Sequence, residues 1–184
     1  MKFTIHTSSL DYSGASPWTI SERFFQICWG FCWTLFCKWT PKPLNSWRLF
    51  WLKLFGAIIH GKPFVHQRAR IQIPWNLTLH DAACVGDRAN LYTLGPIEIC
   101  RGATIAQEAY LSTGTHDFSH PSRPLLTAKI TIGNMAFLGA RVFVMPGVSI
   151  GEHSIVGACS VVTKNIPPFS RFAGNPAKCL SKSE

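Results

Sequence analysis

The chain has 184 residues, 47% hydrophobic and 15% charged, with 18 Lys and Arg against 9 Asp and Glu, a formal net charge of +9. That length suffices for one domain with a true core, and the composition excludes a disordered chain. The basic excess suits an anionic partner, but the cations are spread singly and no zinc-finger or RNA-binding aromatic signature is present, which argues against nucleic acid.

The opening stretch "MKFTIHTSSLDYSG" lacks the apolar core of a signal peptide, so a cytoplasmic location is expected. The seven cysteines form no Cys-x-x-Cys and read as buried, reduced thiols rather than as disulfides or metal ligands. Residues 17–60 read as helical and aromatic. "FFQICWGFCWTLFC", Phe24 to Cys37, is an uncharged run of 14 residues between Arg23 and Lys38. It falls short of the roughly 20 residues that a spanning helix needs. Pro41 and Pro43 stop it, and Asn45 or Ser46 is expected to cap the next helix. That helix carries Trp47, Phe50, Trp51, Leu54, Phe55 and Ile58 on one stripe, flanked by Arg48 and Lys53 placed to face lipid headgroups. Two readings stay open: peripheral membrane contact through residues 24–58, or packing of the helices on the main domain or a neighbouring subunit.

From about residue 65 the pattern changes. Val65, Ile71 and Leu77 are six apart, as are Leu79, Val85, Leu91 and Ile97, and again Ile99, Ile105 and Leu111. Ile132, Leu138, Val144, Ile150, Val156 and Val162 continue the beat. A small or β-branched residue stands four places after most of these aliphatics, with Trp75 a visible exception, and glycine often follows the aliphatic directly. A period of six fits neither a helix nor simple strand alternation. It fits short strands joined by tight corners, three to a coil of eighteen residues, each sending one aliphatic to a shared axis. The glycines are expected to take turn geometries closed to other residues. The division expected is an N-terminal helical region over residues 1–62 and a β-solenoid with a C-terminal tail over 63–184.

"ITIGNMAFLGARVFVMPGVSIGEHSIVGACSVVTKNIPP" resembles the closing coils of hexapeptide-repeat acyltransferases, and "AGNPAK" resembles their exit. Over residues 17–180 the chain is similar to the colanic acid biosynthesis O-acetyltransferases, aromatic helices included. The resemblance implies an all-β, left-handed parallel β-helix, a homotrimer, and acetyl-CoA bound between neighbouring prisms, with no metal. It further implies a glycan acceptor in exopolysaccharide synthesis.

Between Leu111 and Ile132 the beat fails. The separation is three hexads plus three residues, read as a loop that replaces part of a coil, and excursions from regular scaffolds are where function concentrates. His116 is the candidate general base: an imidazole suits removal of a hydroxyl proton at neutral pH, and the family's catalytic histidine follows a similar strand end, "STGTH" here. The plain alternative is a surface histidine bonded to its own loop. Asp117 is a candidate to orient the ring or bind substrate, or else a turn former. His120 reads as loop structure, and His66, His80 and His153 as solvated corner residues. The resemblance runs the donor along Phe137, Gly139, Ala140, Gly157 and Ala158, with Thr163, Lys164 and Lys178 toward its phosphates. Phe137 stands where many relatives carry tryptophan. The small residues also have a purely structural explanation, since corners need them. Asn90 and Tyr92 are acceptor-pocket candidates, with Tyr92 at the corner matching the asparagine of simple galactoside acetyltransferases. The alternatives are a metal hydratase of the γ-carbonic-anhydrase type, which needs three converging histidines, and a catalytically silent β-helix scaffold.

Overall fold

The computed structural model describes residues 4–6 and 18–182. Strand β1 (Thr4–His6) precedes helix α1 (Ile20–Cys32), a π-helical turn over Trp33–Cys37 and helix α2 (Asn45–Leu54). The coils follow. The first holds β2 (Ile58–Ile59), β3 (Phe64–Val65) and β4 (Arg70–Ile71); the second β5 (Leu77–Leu79), β6 (Cys84–Val85) and β7 (Asn90–Tyr92). The third holds β8 (Ile97–Ile99), β9 (Thr104–Ile105) and β10 (Tyr110–Ser112), and a hairpin, β11 (Gly114–His116) and β12 (Leu125–Thr127), then leaves the body. The fourth holds β13 (Ile130–Ile132), β14 (Phe137–Leu138) and β15 (Phe143–Val144); the fifth β16 (Ser149–Ile150), β17 (Ile155–Val156) and β18 (Val161–Val162). Strands β19 (Ser170–Ala173) and β20 (Lys178–Lys182) close the end.

Each coil gives one strand to each of three parallel sheets: β2-β5-β8-β13-β16, β3-β6-β9-β14-β17 and β4-β7-β10-β15-β18, with β19 and antiparallel β20 ending the second. The result is a left-handed parallel β-helix. All sixteen aliphatics of the hexad pattern are buried, from Val65 to Val162. Each contributes roughly 1.5–3 kcal/mol of apolar burial. The early coils are longer than three hexads: Val65 pairs with Val85 and Val85 with Ile105, because Leu77 and Leu79, at the two ends of one strand, both point inward. Trp75 breaks the small-residue rule because it lies in a 3₁₀ turn, Pro74–Asn76, that leaves the strand path.

Two expectations about the coils need correction. The glycines after the aliphatics do not take left-handed turns; Ala82, Arg88, Glu108, Met135, Arg141, His153 and Cys159 do, one place before the small inward residue. Glycine is needed for space: a Cβ on Gly139 would sit 2.7 Å from the Ala158 nitrogen, and one on Gly133 2.6 Å from that of Glu152. Nor does the excursion replace part of a coil. Ile132 lies beside Ile99 in the first sheet, the very next strand position after Leu111, so the hairpin is inserted whole at one corner. Its ends leave and return together, which a residue count does not reveal.

The helices pack on the prism through one face. Trp29, Trp33, Cys37, Leu49 and Leu52 join the prism core, with Trp51 and Phe55 half-buried against it. A capping box starts α1: the Thr19 hydroxyl accepts from the Glu22 amide while the Glu22 carboxylate accepts from the Thr19 amide. The expected side-chain cap of α2 is absent, because a 3₁₀ turn, Lys42–Leu44, runs straight into it. The Asn45 amide ties the helix to the prism instead, donating to the Pro63 carbonyl (2.8 Å) and accepting from the Val65 amide (3.0 Å). Arg48 faces no headgroup: it is 0% exposed and donates to the carbonyls of Val65, Pro41 and Lys42 and to the Thr40 hydroxyl. Of the expected stripe, Trp47, Phe50, Leu54 and Ile58 are exposed. Cys159 and Cys179 are also exposed, unlike the buried thiol of Cys37, which burial pushes up to about 12.

Candidate active site

Thr113 fixes the point where the hairpin departs. Fully buried, its hydroxyl donates to the Tyr92 carbonyl (2.7 Å) and accepts from the Gly95 amide (2.8 Å). Gly114 then passes close to Leu94, where a Cβ would stand 2.8 Å from a methyl group. Strand β11 pairs antiparallel with β12, and β1 adds a third strand beyond it, so the hairpin is held as a small sheet.

His116 ends β11, exposed, with Nδ1 2.8 Å from the carbonyl oxygen of Arg123. A carbonyl only accepts, so Nδ1 carries the hydrogen and the neutral ring keeps its lone pair on Nε2. The loop thus presents an exposed imidazole with a fixed tautomer. Arg123 holds this carbonyl with a left-handed backbone, φ 45°, just before Pro124. Sequence reasoning missed this contributor, since no side-chain pattern marks a backbone carbonyl.

Asp117 does not orient the ring. Its Oδ1 accepts from the Ser119 amide (2.9 Å) and hydroxyl (2.6 Å), bonds that hold its carboxyl below the usual carboxylate range. His120 is likewise committed locally, its Nδ1 2.7 Å from the Ser122 hydroxyl. His66 and His80 are not solvated corner residues. His66 is buried beside Asp87, and burial above all holds its imidazole below the ordinary value, with Asp87 pulling the other way. His80 meets Glu98 at 2.9 Å. His153 is exposed and stacks on Phe169. His80, Glu98 and Cys100 form the one group of possible metal ligands among the described residues, but Glu98 is already held by His80 and by Lys129 at 2.7 Å.

The acceptor candidates lie on β7, both partly exposed. Tyr92 packs against a small cluster of Ile73, Leu94 and Leu125, and Leu125 is the register partner of His116. Asn90 lies farther back, beside Arg70 and Tyr110. The donor candidates divide between two corners. Gly139 and Ala140, and then Gly157 and Ala158, turn from the second sheet to the third; Thr163 and Lys164 follow β18 at the corner that carries the hairpin. Phe137 faces outward on β14, 43% exposed, and Lys178 is exposed at the start of β20. A single prism therefore does not gather His116 and the small-residue corner on one edge.

The bacterial transferase hexapeptide (six repeats) family matches residues 129–164. A protein of Escherichia coli (strain K12) named as the colanic acid biosynthesis acetyltransferase WcaF is 43% identical over 152 residues, 83% of each chain. Among solved structures, the hexapeptide-repeat acetyltransferase VCA0836 of Vibrio cholerae, complexed with acetyl-CoA, superposes with a TM-score of 0.80 at 22% identity, covering 95% of this chain and 93% of its own. A maltose O-acetyltransferase of Clostridium difficile 630 gives 0.75 at 24% identity, over 90% and 88%. The structural likeness, at such low identity, establishes the fold, and the Escherichia coli relative, aligned along most of both chains, establishes the kinship: this chain belongs to the hexapeptide-repeat acetyltransferases.

Proposed function

We propose that the protein transfers an acetyl group from acetyl-CoA to a sugar hydroxyl during glycan assembly, with His116 as general base. The observation that carries this is the His116–Arg123 hydrogen bond, which leaves Nε2 free on an exposed ring. The acceptor hydroxyl gives its proton to Nε2 as its oxygen attacks the thioester carbon. Backbone amides stabilise the tetrahedral oxyanion, and the thiol of CoA leaves with the proton. Direct attack needs no enzyme nucleophile, so no cysteine is recruited. The names of the relatives, with colanic acid, maltose and acetyl-CoA in them, support the choice of donor and acceptor class.

Phe137, Gly139, Ala140, Gly157 and Ala158 line the pantetheine path in this reading, with Thr163, Lys164 and Lys178 toward the phosphates. Tyr92, Asn90 and Asp117 face the acceptor, Tyr92 nearest the hairpin base. Because the donor residues sit on two corners, the cleft is completed by a second prism: the hairpin corner of one chain faces the small-residue corner of the next. Closed three-fold symmetry supplies three equal clefts. The outer aromatic face of α1 rests on an anionic membrane surface, peripherally, since no helix among the described residues is long and apolar enough to cross a membrane.

The test is His116→Ala. Turnover of acetyl-CoA with a sugar acceptor is expected to fall about a hundredfold or more, with acetyl-CoA binding retained. Near-normal turnover would remove His116 from the mechanism.

A further inference from the structure

Between α1 and the opening coil runs a groove of about 650 Å³, lined by none of the residues assigned above to acetyl transfer. Lys38, Arg68, Arg70 and Arg88 line it, and no lining residue is acidic. Two of these cations are partly balanced from outside, Arg68 by Asp87 and Arg88 by Glu108 at 3.7 Å. Lys38 and Arg70 are exposed and form no ion pair among the described residues. Electrostatically, the groove has an excess of about two positive charges, close to what one phosphate group would balance.

A second observation comes from polar atoms with no partner. Gln26 Nε2 on α1 and Gln67 Oε1 on the coil corner are buried and unbonded, and both residues line the groove. A buried donor and a buried acceptor left unpaired are costly, and such groups ordinarily have a partner. Hydroxyl groups, which both donate and accept, satisfy the two together.

The groove is also preformed. The Trp29 indole donates to the Ile71 carbonyl (2.7 Å) and the Trp33 indole to that of Ala69 (3.1 Å), so α1 and the π-helical turn after it are pinned to β4 and to the residue just before it. A pinned wall spares the ligand the ordering cost that a mobile one would impose.

We propose that this groove binds a sugar phosphate, the phosphate among Lys38, Arg70 and the two other arginines and the sugar hydroxyls on Gln26 and Gln67. The identification deepens the acetyl-transfer reading, on which it rests for the sugar, by giving the acceptor a phosphate or diphosphate link. Arginine suits that role because its planar fork matches phosphate oxygens. A nucleotide-linked and a prenyl-linked sugar share this chemistry.

The test is calorimetric titration of the full-length protein with inorganic pyrophosphate, UDP-glucose, farnesyl-diphospho-glucose and methyl glucoside, at about 50 and about 200 mM salt. The three phosphate-bearing probes are expected to bind, more weakly at the higher salt, and methyl glucoside to show no binding. Lys38→Ala with Arg70→Ala is expected to weaken all three at least tenfold, with acetyl-CoA affinity kept, which also verifies the fold. Gln26→Ala with Gln67→Ala is expected to weaken UDP-glucose and spare pyrophosphate. Tighter binding of the farnesyl or the uridine compound identifies the carrier. Pyrophosphate and UDP-glucose bound equally by wild type and the cation variant, or bound by neither, would overturn the proposal. Binding as expected without acetyl transfer to any sugar would instead overturn the acetyl-transfer reading and leave the groove standing.

Discussion

Leu138 in the prism is fully buried, between Ile105 on one side and Val156 on the other, while Phe24 and Phe31 of α1 are 63% and 66% exposed. Both regions are strongly apolar in sequence, and they spend that apolarity differently. In the prism the hexad aliphatics of the inner coils have neighbours above and below, fixed by parallel strand pairing, so their burial is complete. In the helices one face meets the prism through Trp29, Trp33, Leu49 and Leu52, Phe36 stacks on Trp51 between them, and side chains such as Phe24 and Phe31 stay largely exposed among the described residues. An apolar segment thus reports burial only when the fold supplies the second surface.

The prism side of this comparison breaks most visibly at its axis. Leu138→Ala is expected to lower stability by about 4 kcal/mol, because coils held in register above and below cannot collapse into the cavity. Denaturant unfolding measures it, and a loss under about 1 kcal/mol would mean the column relaxes far more than its strand pairing suggests.

On the helix side the corresponding element is polar. Arg48 has its charge buried against three carbonyls and one hydroxyl, with no carboxylate among its bonded partners. Arg48→Met keeps much of the apolar stem but strands those acceptors, and is expected to cost about 2 kcal/mol. Limited proteolysis should then cut first between α2 and the prism. Unchanged stability would show that water reaches the carbonyls and that the helices are only loosely attached.

The periodic part of the fold was legible because a hexad column is a one-dimensional pattern: each aliphatic announces its own burial. His116 stood out for the same reason, as a titratable residue where the beat fails. What stayed hidden depended on contacts across the sequence. The Arg123 carbonyl that fixes the tautomer leaves no side-chain signature, and insertion of the hairpin at one corner shows only in the pairing of Ile132 with Ile99. Helical spacing put Arg48 on a lipid-facing flank, whereas the Val65 carbonyl of the prism and three acceptors from Thr40 to Lys42 drew it inward. Asn45 likewise looked like a cap and became a tether, because its partners Pro63 and Val65 lie in the next element.

The smallest stability effect belongs to the outer face of α1 and the π-helical turn after it, and it separates folding from docking. Phe24, Phe31 and Leu35 are more than half exposed and contribute little to the fold, so Phe31→Ser with Leu35→Ser should change stability by under about 0.5 kcal/mol. The same face, bordered by exposed Arg23 and Lys38, fits an anionic lipid surface: aromatic side chains enter the interface while cations meet the headgroups. Wild-type protein is expected to float with anionic liposomes at low salt, less so at high salt as charge is screened, and the double variant to stay at the bottom. Wild-type protein that does not float at low salt would leave the outer face to a second copy of the chain. In that case the double variant should lower the assembly's mass in sedimentation, a result that lipid docking does not produce.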